Sequence, residues 1–283
     1  MRRWLLLALL ALAGCGSREP EAARPALWRV EDGRGHEGWL FGTIHRSERP
    51  IAWHTGNVGA AFDSSGAVLV EVGNLADESA VATTFADLAR SPAQPPLSQR
   101  IAPPRRAALA ALLRRGGYKD GDFAAMDTWA AALTLARVGG SDDDARNGVD
   151  RAVIDAAGNR PVVELEGAAA QLGLFDALPE TEQRDLLAAV VAEADEPDQD
   201  LSVTWRRGDM AAIEAETRTG LLADPELRAV LFVGRNRAWA GHIAQAVAKD
   251  QRPFVAVGAA HMAGPDGLPT MLARQGFTVT RVQ

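Results

Sequence analysis

Gly38-Trp39-Leu40-Phe41-Gly42-Thr43-Ile44-His45 is the stretch from which the fold can be read. A short apolar run that meets a glycine and then a histidine is the pattern of a buried strand whose carboxyl end carries a polar side chain. The same grammar returns near the far end, where Phe254-Val255-Ala256-Val257 leads into Gly258-Ala259-Ala260-His261. Between them, Ala67-Val68-Leu69-Val70-Glu71-Val72 is another apolar run, with one acidic residue inside it. Runs without alternation suit strands covered on both faces, as in parallel sheets. Residues 277–282 alternate instead and read as a last strand at a sheet edge, and 161–165 read as one more strand.

The stretches in between are rich in alanine and leucine at helical spacing. Residues 104–115, 128–138 and 149–157 each stop at glycine, a common helix terminator. Residues 167–177, 180–194 and 224–248 read as further helices, some of them broken. Residues 91–104, with five prolines, read as a loop or hinge. The fold expected is therefore α/β: strands from both chain ends in one sheet, with a largely helical middle at about 100–225.

The start of the chain has its own logic. Arg2 and Arg3 precede an apolar run at 4–13, followed by small residues and Cys15. That is the order of an export signal, and the run falls short of the roughly 20 residues a membrane-spanning helix needs. Leu12-Ala13-Gly14-Cys15 resembles the bacterial lipobox, in which the cysteine is lipidated and becomes the first mature residue. The expected organisation is a signal peptide at 1–14, a lipidated tether at 15–24 and a folded domain at 25–283. Cys15 is the chain's single cysteine, so no intrachain disulfide can support an exported domain. The expected location is a membrane facing the periplasm, with Gly16 favouring the outer membrane, or the cell surface. A net charge of −7 and sparse aromatic residues exclude a nucleic-acid partner. A peptide or small-molecule substrate remains.

His45, Glu71 and His261 form a set of two imidazoles and one carboxylate. A carboxylate within an apolar run is costly unless it is paired or bound to a metal. The set suits either a divalent cation or metal-free general-base chemistry. Gly42 and Gly258, just after or within their strands, permit close backbone approach and are supporting residues. Arg235, Asn236, Trp239 and Ile243 share one helical stripe, with Trp239 and Ile243 packing inward. Arg235 is then placed to hold Glu71, a substrate carbonyl or a developing oxyanion. Asp150, near Arg151 and Arg160, and Glu166 read as structural caps or ion-pair members. Gly264-Pro265-Asp266-Gly267 reads as a turn opening a helix, with backbone N–H groups that could receive an anion. His36, His54 and His242 lack a comparable setting.

Taken in order, Leu40-Phe41-Gly42-Thr43-Ile44-His45, Leu69-Val70-Glu71-Val72, Gly148-Val149-Asp150, Val163-Glu164-Leu165-Glu166 with Gln171, Arg235-Asn236 and the block from Val257 to Gly267 resemble the motif series of the TraB/GumN family. The resemblance implies kinship with the Tiki proteins, which are membrane-tethered metal-dependent proteases. It also implies a fold group that includes erythromycin esterases and ChaN-type haem-binding lipoproteins. On that likeness His45, Glu71 and His261 are the active centre and Arg235 a supporting basic residue. The expectation is a metal-dependent hydrolase of peptide or related amide bonds, using Mn²⁺, Co²⁺ or Zn²⁺. The alternatives are a haem or small-ligand binder and a metal-free esterase with His45 as general base. Met262 stands where the family often has leucine. Glu164 stands where a small or apolar residue is usual, which points to an edge strand.

Overall fold

The computed structural model describes residues 23–73, 78–139, 145–194 and 201–283. The expected signal, Cys15 and most of the tether lie outside the described residues, as do Asn74 and Gly140. Six strands form one sheet: β1 (Leu27–Glu31), β2 (Glu37–Thr43), β3 (Ala67–Val70), β4 (Val162–Glu164), β5 (Pro253–Gly258) and β6 (Thr278–Arg281). Their order is β4-β3-β5-β2-β1-β6, so strands from the two chain ends interleave. β4, β3, β5 and β2 run parallel, while β1 is antiparallel to β2 and to β6. β4 and β6 are the edges, as the exposed or alternating residues of each indicate.

Of the parallel strands, β2, β3 and β5 read as unbroken apolar runs because both faces are covered. Phe254 and Ala256 of β5 join Phe41, Val68 and Val70 on one face, packed by Phe62 and by Val149 and Val153 of the helix Val149–Ala156. Val255 and Val257 join Leu40 and Leu69 on the other, packed by Trp239 and Ile243 of the helix Arg235–Ala248 and by Leu268 and Leu272. Each such side chain contributes about 1.5–3 kcal/mol on burial, which holds the sheet still beneath its loops.

The helical middle has its own core, centred on Trp129, Leu135, Leu186 and Leu187. Residues 91–104 are anchored to it through Leu97 and Ile101. Leu97 is fully buried there. The buried Arg100 guanidinium donates to the carbonyls of Pro95, Met126 and Phe123 at 2.7–2.8 Å, which pins the proline-rich segment in place. The expected helix over 224–248 is broken: Pro225–Arg228 is α-helical, Ala229–Gly234 is π-helical and Arg235–Ala248 is α-helical again. Leu227 and Leu231 belong to the helical core, and Trp239 and Ile243 to the sheet. Among the described residues no helix is long and apolar enough to cross a membrane.

Candidate functional site

The carboxyl ends of β2, β3 and β5 lie side by side, the edge at which parallel sheets place their ligand-binding loops. His45 lies two residues beyond β2, Glu71 directly after β3, and His261 in the 3₁₀ turn Ala259–Met262 after β5. These side chains meet at Gly258. A Cβ added there would stand 3.3 Å from Glu71 Oε1, 3.3 Å from His45 Nε2 and 3.7 Å from His261 Cδ2. The Gly258 N–H donates to Glu71 Oε1 at 2.7 Å. Gly42 allows a second close approach. A Cβ there would come within 2.8 Å of Ala259 Cα, so the two histidine-bearing segments can draw together only over a glycine. Gly42→Ala is expected to cost about 1–3 kcal/mol through overpacking. Chemical denaturation checks this, and an unchanged midpoint would show that the two segments can part without cost.

The two histidines are held differently. His45 is 61% exposed at its side chain, and its Nδ1 lies 2.9 Å from Asp150 Oδ2. Burial works against its protonated form, only weakly at this exposure, and the bond to Asp150 with the charges of Glu71 and Asp150 outweighs it. The imidazole is held above its ordinary value of 6.5. His261 is buried between Phe232, at 5.2 Å, and Trp239, at 4.6 Å between ring centroids. Desolvation drives it down to about 3, so it is neutral. Its Nδ1 lies 2.6 Å from Asn236 Oδ1, while Asn236 Nδ2 donates to the Asp266 carbonyl at 2.7 Å. That orientation of the amide assigns the proton to Nδ1 and leaves a lone pair on Nε2.

Glu71 is 8% exposed, and burial alone would raise its pKa. The adjoining His261 and His45 imidazoles, the charge of Arg235 and the Gly258 N–H outweigh that, holding it below the ordinary carboxylate value. With His261 neutral, the permanent charge among these is that of Arg235. Arg235 Nη2 donates to Glu71 Oε2 at 2.7 Å and to Glu166 Oε1 at 2.6 Å. Its Nε donates to Glu166 Oε2 at 3.1 Å, and its guanidinium lies 4.6 Å from the Trp239 ring centroid. For Glu166, burial is the largest influence and raises its pKa against the pull of Arg235.

Two residues that the sequence presents as structural belong to this cluster. Asp150 orients His45, and Glu166 clamps Arg235. Gly148-Val149-Asp150 docks directly on the His45 segment: Val149 N donates to the Ile44 carbonyl at 2.8 Å, and a Cβ at Gly148 would meet the His45 carbonyl at 2.5 Å. Asp150 Oδ1 is buried without a partner among the described residues, so His45 is its carboxylate's one hydrogen-bond partner there. The turn at Gly264–Gly267 is occupied by internal contacts, with Asp266 paired to Arg228 at 3.0 Å and its carbonyl bonded by Asn236. A cleft of about 280 Å³ opens on the centre, lined by His45, Glu71, Asp150, Arg151 and Gln171 with apolar walls from Val70, Val72 and Val257.

The family model for TraB/PrgY/gumN matches residues 26–281, from β1 to the end of β6. The chain belongs to the TraB/PrgY/gumN family. No curated protein and no solved structure matches it.

In this TraB/PrgY/gumN chain the donor types at the centre are those of a transition-metal site: two imidazole Nε2 lone pairs and one carboxylate. Their placement does not fit a bound cation. Glu71 already has one oxygen on the Gly258 N–H and the other on Arg235, and Arg235 Nη1 lies 3.5 Å from His261 Nε2. Among the described residues no group of three His, Cys, Asp or Glu side chains is placed to hold a metal ion.

Proposed function

We propose that the chain is a hydrolase of ester or amide bonds in which His45, oriented by Asp150, is the general base. The observation that carries this reading is the His45–Asp150 pair at the mouth of the cleft, beside Glu71 and Gln171. Asp150 accepts a hydrogen bond from the His45 Nδ1–H, which turns the Nε2 lone pair toward a water in the cleft. As the water oxygen bonds to the substrate carbonyl carbon, its proton passes to Nε2 and the imidazolium is stabilised by Asp150 and Glu71. Collapse of the adduct breaks the C–O or C–N bond, and the proton on His45 moves to the leaving oxygen or nitrogen. Gln171 Nε2, only 3.5 Å from Glu71 Oε2, is the cleft's amide donor for the oxyanion. Arg235 acts behind the cleft by holding Glu71, and not as the oxyanion donor that its helical stripe suggests.

Turnover of p-nitrophenyl esters and fluorogenic peptides by the purified protein, with and without His45→Ala and a chelator, tests this. Hydrolysis that His45→Ala leaves unchanged would refute it. A second reading keeps the same residues but makes His45, His261 and Glu71 ligands of a divalent cation, which would polarise the carbonyl and acidify a bound water. What favours it is that both imidazoles bind protein through Nδ1 and so turn Nε2 to the centre, although Arg235 would have to leave His261 Nε2. Chelation abolishes activity under that reading and spares it under ours. Nothing favours haem, since the described lining of the cleft carries no Phe, Tyr or Trp.

The pH dependence follows from the sign of the His45 shift. A general base works when neutral, and the neutral fraction is lost as pH falls through a raised pKa. The acid limb of kcat/KM is expected to have its midpoint above 6.5, and a midpoint at or below that value would argue against His45 as the base. Export and lipid attachment at Cys15 are part of the same proposal, supported by the Leu12-Ala13-Gly14-Cys15 sequence.

A further inference from the structure

We infer that Arg235 is the built-in cation of this centre, supplying between Glu71 and His261 the positive charge that a divalent metal would otherwise bring. The guanidinium touches both groups, with Nη2 2.7 Å from Glu71 Oε2 and Nη1 3.5 Å from His261 Nε2. Two of the three ligands that the family resemblance names are thus already engaged by a protein cation. Arg235 is also fixed from behind, by Glu166 at 2.6 and 3.1 Å, by the Leu231 carbonyl at 3.4 Å and by the face of Trp239. A guanidinium keeps its charge at every working pH. A metal entering here would have to displace a planar, multiply bonded cation or sit against its charge. The neighbours agree: Asn236 commits the His261 proton to Nδ1, which gives Nε2 a lone pair to meet Arg235. The centre is therefore complete without a metal, and metal affinity is latent in it, suppressed by one side chain.

This inference rests on the reading that His45, Glu71, His261 and Arg235 form one centre, but its test reads binding and not turnover, so either can fail alone. The full chain is titrated with Co²⁺, followed by its visible absorption, and with Zn²⁺ by calorimetry. The wild-type protein is expected to show no stoichiometric site that depends on His45 or His261. Arg235→Met, which removes the charge and keeps the stem over Trp239, is expected to bind one equivalent at least 100-fold more tightly. Adding His45→Ala or His261→Ala to that variant should abolish the gain. One equivalent of Co²⁺ bound by wild type and lost in His261→Ala would overturn the inference, as would Arg235→Met binding no better than wild type. Should Arg235→Met fail to fold by circular dichroism, Glu166→Gln with Arg235→Met removes one of the two stranded carboxylates, leaves Glu71 as a ligand and is judged by the same outcomes. The wild-type titration decides on its own if neither folds.

Discussion

Asp150→Asn is expected to lower kcat for hydrolysis by about 10²–10⁴-fold, the range general-base chemistry supplies, with KM little changed. The amide can still reach His45 Nδ1, but it carries no charge to support the imidazolium formed as water is deprotonated. If its NH₂ turns toward the ring, the proton is forced onto Nε2 and the lone pair faces away from the cleft. The loss should match that of His45→Ala, and the double variant should be no worse than either, because residues that act as a unit are not additive. The fold should tolerate the change. Asp150 lies in the first turn of the helix Val149–Ala156, where losing its charge costs about 0.3–1 kcal/mol. Steady-state kinetics beside circular dichroism would separate the two effects. A kcat within error of wild type would remove Asp150, and with it the present account of His45, from the mechanism.

Arg235→Ala should give the largest loss of stability, about 3–5 kcal/mol, because it strands two carboxylates that are about 10% exposed. For a domain of this size that corresponds to a fall in Tm of roughly 6–20 °C. The sign of the pH dependence is informative. Glu71 has a folded-state pKa below its ordinary 4.5, so its contribution in the wild type is present above that value and lost as pH falls through the lowered one. In the variant the same carboxylate keeps the Gly258 N–H but is buried without its cationic partner, and it is relieved by protonation. The gap between the two proteins should therefore be widest near pH 7 and should close as pH drops below about 4.5. Thermal unfolding at both ends of that range measures it. A constant gap would show that lost packing against Trp239, rather than stranded charge, is what matters.

Much of this architecture is visible in the amino-acid order for a definite reason. β2, β3 and β5 are covered on both faces and so are written as uninterrupted apolar runs. β1 is not legible in the same way, because Leu27-Trp28-Arg29-Val30-Glu31 mixes an aromatic and charged residues in so short a span that neither period stands out. His45, Glu71 and His261 stand out because polar side chains at the ends of buried strands need a cause. Asp150 does not, since it is 105 positions from His45 and an acid in the first turn of a helix already has a sufficient structural explanation. Glu166 is hidden in the same way, by a helix beginning at Ala168. Pairings of this kind are set by how loops dock on the sheet, as Val149 docks on Ile44, and no local pattern encodes them.

The π-helical turn at Ala229–Gly234 carries a phase correction. One face of a single helical rod must serve Leu227 and Leu231 in the helical core and, further on, Trp239 and Ile243 against the sheet. A wider turn behaves like one inserted residue and rotates everything after it relative to what came before. Rewinding the same residues there as regular α-helix would swing the downstream half by about 100°. Either half could then keep its bearing, but not both, and the guanidinium's aim is set by which one yields.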